Sequence, residues 1–250
     1  MRIAIAGATG LVGRELGIAA RNAGHDVVEL ARATGVDLVA GSGAELDRVL
    51  AGVDVVVDVT NSPTVEQDGA TAFFETVAER LGAAASRAGA TRTVLLSIIG
   101  VDRTPQDGYF VAKLAHERAT REHAPGVRVL RATQFHEFAE QSLGWGRRGD
   151  VVTVPDMPVQ PVALSEVVRE LLEMATATEV APLVELAGPR REQLANLVGE
   201  LVEARGERVV VEPVPVSEAM RAGALLPGAA AIVAGPDFAD WLAERAGRDS

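Results

Sequence analysis

The chain has 250 residues, a net charge of −11 and no Cys. The acidic balance excludes nucleic acid or an anionic membrane surface as the main partner, because both need a basic patch. The missing Cys excludes disulfides, a thiolate nucleophile and thiolate-bound metal.

Elements follow from the hydrophobic pattern. Strands are predicted at 2–7, 26–30, 36–39, 53–59, 93–98 and 127–133, with helices near 11–23, 43–51, 66–88 and 109–123. Several strands are near-continuous apolar runs, which suits parallel strands covered on both faces. After about 135 the pattern loosens. The Pro-containing stretch 147–164 reads as loops and edge strands. Helices are expected at 164–176, 190–206 and 237–247, and strands at 183–188 and 207–216. "MRIAIAGATG" runs straight into a strand and a turn without a long apolar segment, and 224–235 is interrupted by Pro227 and Gly228. Neither reads as a signal peptide or a membrane span, so a cytoplasmic protein is expected.

"GATGLVG" (Gly7, Ala8, Thr9, Gly10, Leu11, Val12, Gly13) joins the first strand to the first helix. Its three glycines permit a tight bend and let backbone N–H groups approach a pyrophosphate at the positive end of the helix. In this setting the turn implies dinucleotide binding. The expected fold class is therefore α/β, a Rossmann-type doubly wound parallel sheet. It forms a single domain over 1–250, with 135–250 contributing a small C-terminal α/β lobe that covers the substrate. The tip of the second strand usually separates the two nicotinamide dinucleotides: a carboxylate there binds a ribose hydroxyl, an Arg a 2′-phosphate. The tip carries Arg32, with Arg14 nearby and Glu29 inside the strand. NADP is favoured, with NAD as the alternative.

The one Tyr and the one Lys, Tyr109 and Lys113, stand four apart at the start of a helix, on one face. Ser97 lies twelve residues before Tyr109, near a strand's C-terminal end, where open α/β sheets bind ligands. Carbonyl reduction needs a proton donor for the developing alkoxide. A Lys cation about 4 Å from the phenol is worth up to ~4 kcal/mol at an effective dielectric of about 20. That would bring the phenol near neutrality. Ser97 would orient the substrate oxygen. The competing readings are a surface pair for Tyr109 and Lys113 and a backbone-bonded Ser97.

"GATGLVG" and the "S…YFVAK" pattern resemble the short-chain dehydrogenase/reductase superfamily. The runs 95–117, "LRATQFHEF" (130–138) and "VQPVALSEV" (159–167) are similar to its atypical, NmrA-like NAD(P)-binding members. The resemblance implies that Tyr109 is the acid/base, that Lys113 binds the nicotinamide ribose and tunes Tyr109, and that Ser97 holds the substrate oxygen. It also implies cofactor contacts from Thr60 and Asn61 in "VTNSP", which stands where typical members carry Asn-Asn-Ala-Gly. The implied activity is hydride transfer between NADP and a small carbonyl or alcohol. The alternatives are an NmrA-like dinucleotide sensor without turnover and a sugar-nucleotide epimerase.

Gln134, Phe135 and His136 follow the sixth predicted strand and are substrate-contact candidates. Trp145, among glycines, reads as a lid aromatic or a surface anchor. His25, His116, His123 and His136 have no metal-ligand spacing, so no metal is expected. His116 and His123 read as solvated.

Overall fold

The computed structural model describes residues 1–104 and 108–248. Residues 105–107 of the 95–117 run lie outside them. In chain order the elements are β1 (Arg2–Ala6), α1 (Leu11–Asn22), β2 (Asp26–Leu30), a 3-10 turn (Arg32–Thr34), α2 (Gly43–Leu50), β3 (Val55–Asp58), α3 (Gln67–Ala88), β4 (Arg92–Ile98), α4 (Gly108–His123) and β5 (Arg128–Ala132). They continue with α5 (Phe138–Gly146), β6 (Arg147–Arg148), β7 (Val151–Pro155), β8 (Pro158–Val159), α6 (Leu164–Thr176), β9 (Leu183–Ala187), β10 (Glu192–Gln193), α7 (Leu194–Ala204), β11 (Val210–Val214), α8 (Glu218–Arg221), β12 (Ile232–Val233) and α9 (Phe238–Arg248).

The main sheet has seven strands in the order β12-β9-β5-β4-β3-β1-β2. Arg2 pairs with Asp26 on one side of β1, and Ile3 pairs with Val55 on the other, both in parallel. The strand order therefore reverses at β1 and β3, the place where open α/β sheets hold ligands at their carboxyl ends. The apolar runs are buried as expected: Ile3, Ala4, Ile5 and Ala6 of β1 and Val55, Val56 and Val57 of β3 are covered. This is the Rossmann-type α/β fold.

The expected strand at 36–39 is a turn. Val36 and Leu38 are buried, but Asp37 Oδ1 accepts the N–H groups of Val39 and Ala40 at 2.8 and 2.9 Å. A side chain that bonds its own backbone two and three residues on competes with a sheet ladder. The expected helix at 190–206 begins only at Leu194, because Glu192 and Gln193 pair antiparallel with β8. The helix α5 falls where no helix was predicted.

The described residues form two compact units. The first comprises 1–97, 108–131 and 167–184; the second comprises 98–104, 132–166 and 185–248. In the first, Ala4, Ala6, Val56, Val77 and Leu81 share a core with Leu30, Leu46 and Leu50. In the second, a small sheet of order β11-β7-β6 and the pair β10-β8 accompany α5 and α7. Among the described residues no helix is long and apolar enough to cross a membrane.

Candidate active site

At the end of β1 the chain turns at once. Gly7 has φ +82°, and a side chain on it would meet Val59 O at 2.9 Å. Gly13 is tighter: a Cβ would lie 2.2 Å from Gly7 O. Gly10 N–H donates to Gly7 O at 3.0 Å, and Arg14 Nη2 donates to Thr9 O at 2.8 Å. Gly10 is the N-cap of α1, with no side-chain cap and no acidic residue in the first turn. First-turn N–H groups lack intrahelical acceptors and sit at the positive end of the dipole. Thr9, Gly10 and Leu11 are exposed; Ala8, Val12 and Gly13 are buried. This bare cradle with open N–H groups fits the pyrophosphate of a dinucleotide.

Arg32 is exposed and opens the turn after β2. Thr34 fixes that turn: its hydroxyl accepts from Ala31 N–H at 3.1 Å. Glu29, the nearest strand carboxylate, is paired with Arg21 of α1. The tip of β2 thus presents a guanidinium, while the carboxylate behind it is engaged.

Tyr109 and Lys113 share one face of α4. Tyr109 packs against Ala70, Phe74 and Ala112. Its hydroxyl donates to Asn61 Oδ1, just beyond β3. Burial pushes the phenol up to about 12. Lys113 is buried; its Nζ donates to Leu96 O at 3.0 Å, lies 3.3 Å from His116 Nδ1 and sits 4.7 Å from the centroid of the Phe74 ring. Burial pushes this ammonium down to about 8, against the pull of Asp58 and Glu117. The expected lowering of Tyr109 by Lys113 is therefore overturned. The ammonium is turned toward Leu96 O and His116, and burial sets the phenol.

His116 is not solvated. It is 0% exposed, its ring stacks on Phe74 at 4.5 Å, and its Nε2 lies 3.0 Å from Asp58 Oδ2. Burial and the Lys113 cation push the imidazole down, while Asp58 opposes them. Asp58 Oδ1 accepts both the N–H and the hydroxyl of Thr60, at 2.9 and 2.7 Å. Burial raises the Asp58 carboxyl, but the His116 and Thr60 contacts outweigh it and hold the group below its ordinary value. Thr60 itself is buried and Asn61 exposed. Asp58 is the buried carboxylate that the pattern reading missed, hidden at the end of the apolar run "VDVVVDV".

Ser97 ends 2% exposed, beside Glu117. Its Oγ makes no hydrogen bond of full geometry among the described residues. Glu117 accepts from Arg131 Nε at 2.8 Å and Nη2 at 2.9 Å. Burial pushes the Glu117 carboxyl up; Arg131, then Ser97, then Arg121 hold it below its ordinary value.

Gln134, Phe135 and His136 belong to the second unit. Phe135 bridges to Val162, and Gln134 O accepts from Val162 N–H at 2.9 Å. The Gln134 Oε1 is buried and has no hydrogen-bond partner among the described residues. His136 is 0% exposed and packs on Phe238 and Trp241; its Nε2–H donates to Pro236 O at 3.2 Å. Trp145 is exposed, edge-on to Phe138.

The turn, the reversal of strand order and the pair on α4 together define a dinucleotide-binding α/β protein. Across 98% of its length the chain is 30% identical to the (4-alkanoyl-5-oxo-2,5-dihydrofuran-3-yl)methyl phosphate reductase of Streptomyces griseus subsp. griseus, 98% of which is covered. Its fold matches MoeE5 in complex with UDP-glucose and NAD, with a TM-score of 0.74 and 22% identity over 100% of this chain and 99% of the other. It also matches a short-chain dehydrogenase/reductase superfamily protein from Agrobacterium tumefaciens with bound NAD, with a TM-score of 0.72 and 18% identity over 100% and 97% of the two chains. No protein-family model matches the chain. The chain belongs to the family of this Streptomyces reductase, and so to the oxidoreductases, and it shares the NAD(P)-binding Rossmann fold of the short-chain dehydrogenase/reductase superfamily protein.

Proposed function

We propose that the chain is an atypical, NmrA-like reductase that uses NADPH to reduce a small carbonyl compound, with Tyr109 supplying the proton. The observation that carries this is the hydrogen bond from the Tyr109 hydroxyl to Asn61, on the unit that also holds the glycine turn. Bound NADPH supplies the hydride. The open backbone N–H groups of Leu11 to Gly13 hold its pyrophosphate, and Arg32 holds the 2′-phosphate. Thr60 and Asn61 line its nicotinamide side, and Lys113 binds the ribose. A phenol at about 12 is protonated at neutral pH. In that form it can give its proton to the alkoxide that hydride transfer generates. Asn61, more than the buried Ser97, is placed to share a substrate oxygen with Tyr109. Ser97 steadies Glu117 beneath the site. In the second unit, Gln134 and Phe135 are the substrate-contact candidates, and His136 supports them from inside.

The Streptomyces relative acts on a phosphate ester, which supports a phosphate-bearing substrate here. A nucleotide sugar is the second reading, since MoeE5 carries UDP-glucose on this fold. NADPH absorbance followed against a panel of phosphorylated carbonyl compounds and nucleotide sugars tests both. Binding of NADPH with no oxidation by any member of the panel would favour a sensor and sink the reductase.

A further inference from the structure

We infer that Asp58 and His116 are positioning residues for Lys113: through the imidazole, the buried carboxylate fixes where the ammonium sits and keeps it charged. The inference rests on the reading of Lys113 as the group that faces the dinucleotide.

The three side chains come from β3 and from two positions three apart on α4, and each is at most 4% exposed. An ammonium has only donors, so His116 Nδ1 must accept from Lys113. Nε2 then carries the proton and donates to Asp58 Oδ2 at 3.0 Å. The imidazole is neutral and polarised between a cation and an anion. Phe74 of α3 closes both ends, stacked on His116 and lying beneath the Lys113 ammonium.

The remaining charges around His116 fit the same scheme. On its own helix it meets Lys113 and Glu117, and from β3 it meets Asp58. Glu117 is neutralised by the Arg131 fork from β5. Asp58 is therefore the carboxylate that answers the ammonium through the imidazole, with Glu117 adding a smaller pull. A buried charge relay of this kind costs desolvation that apolar residues would avoid, and a strongly perturbed pair in such a place marks a functional role. Leu96 O and His116 Nδ1 take two of the three N–H bonds of Lys113, leaving one to point at a ligand.

Lys113 is the one lysine of the chain. Carbon-13 labelling of lysine therefore gives one ε-methylene signal, whose midpoint is read by pH titration of the full chain. The parent midpoint is expected near 8. Asp58→Asn is expected to lower the proton affinity of Lys113 at least tenfold, whereas His116→Gln, which keeps a donor and an acceptor beside an intact Asp58, is expected to retain most of it. If Asp58→Asn does not fold, His116→Leu gives the same cut with an apolar filling. An unchanged midpoint and chemical shift in the folded cut variant overturns the inference. NADPH turnover is read separately: a shifted midpoint in a chain that never oxidises NADPH would remove the reductase and leave the relay.

Discussion

Tyr109 and Lys113 lie one turn apart on α4 and make no hydrogen bond to each other. The phenol donates to Asn61 Oδ1, whereas the ammonium donates to Leu96 O at 3.0 Å. The pair therefore divides its work: the phenol faces the end of β3, and the ammonium is anchored to β4 and His116.

The first consequence concerns the proton. Tyr109→Phe keeps the packing against Phe74 and removes only the donor. Turnover should fall by about 10²–10⁴-fold, the range of a lost general acid. NADPH affinity, measured by fluorescence titration, should stay where it was. Full turnover in the variant would remove Tyr109 from the chemistry.

Cofactor preference should follow Arg32. A hydrogen bond to a charged group contributes about 1.5–3 kcal/mol. Arg32→Ala should weaken NADPH roughly ten- to hundredfold, and NADH hardly at all. Equal losses for both, seen by calorimetry, would assign Arg32 no part in the choice.

The glycine cradle has no slack. A Cβ on Gly13 would sit 2.2 Å from Gly7 O and 2.7 Å from Ala8 Cα, both backbone atoms that cannot swing aside. Gly13→Ala should destabilise the fold by about 1–3 kcal/mol through overpacking. It should also abolish dinucleotide binding. Thermal melts with and without NADPH would show this as a lower midpoint and no ligand-induced rise.

Lys113 makes stability depend on pH in a defined direction. Its pKa falls from 10.5 to about 8 on folding. The neutral amine is favoured in the folded state, so its stabilising effect is complete above 10.5 and is lost as pH drops through 8. Relative to Lys113→Met, the parent should gain on the order of 3 kcal/mol between pH 8 and 10.5. Denaturant titrations of both chains at the two pH values measure the difference, in which groups common to both cancel. A flat difference would mean that Lys113 is not desolvated.

What was readable was local. The turn at Gly7 to Gly13 and the apolar runs of β1, β3 and β4 declare themselves within a few residues. So does the four-residue spacing of Tyr109 and Lys113. The bend at Asp37 was hidden because one carboxylate satisfies two backbone N–H groups that a strand would have given to a neighbour. His116 could not be placed because its partner, Asp58, stands 58 positions away in the chain. An imidazole on a polar-looking helix gives no sign that a carboxylate waits at the end of an apolar strand. The helix α5 ends in Gly144 and Gly146 and has no side-chain cap, so neither end announced it.

The only lysine of the sequence is enclosed beneath α4, which leaves the described surface to arginine. The one side-chain amine of this protein therefore meets reagents only through its last 4% of exposure. The acylation rate of Lys113 by a dilute amine-reactive ester, followed by mass spectrometry, reports access to that amine, whether through the ligand site or by local opening, and any molecule that seats itself against it will slow the reaction.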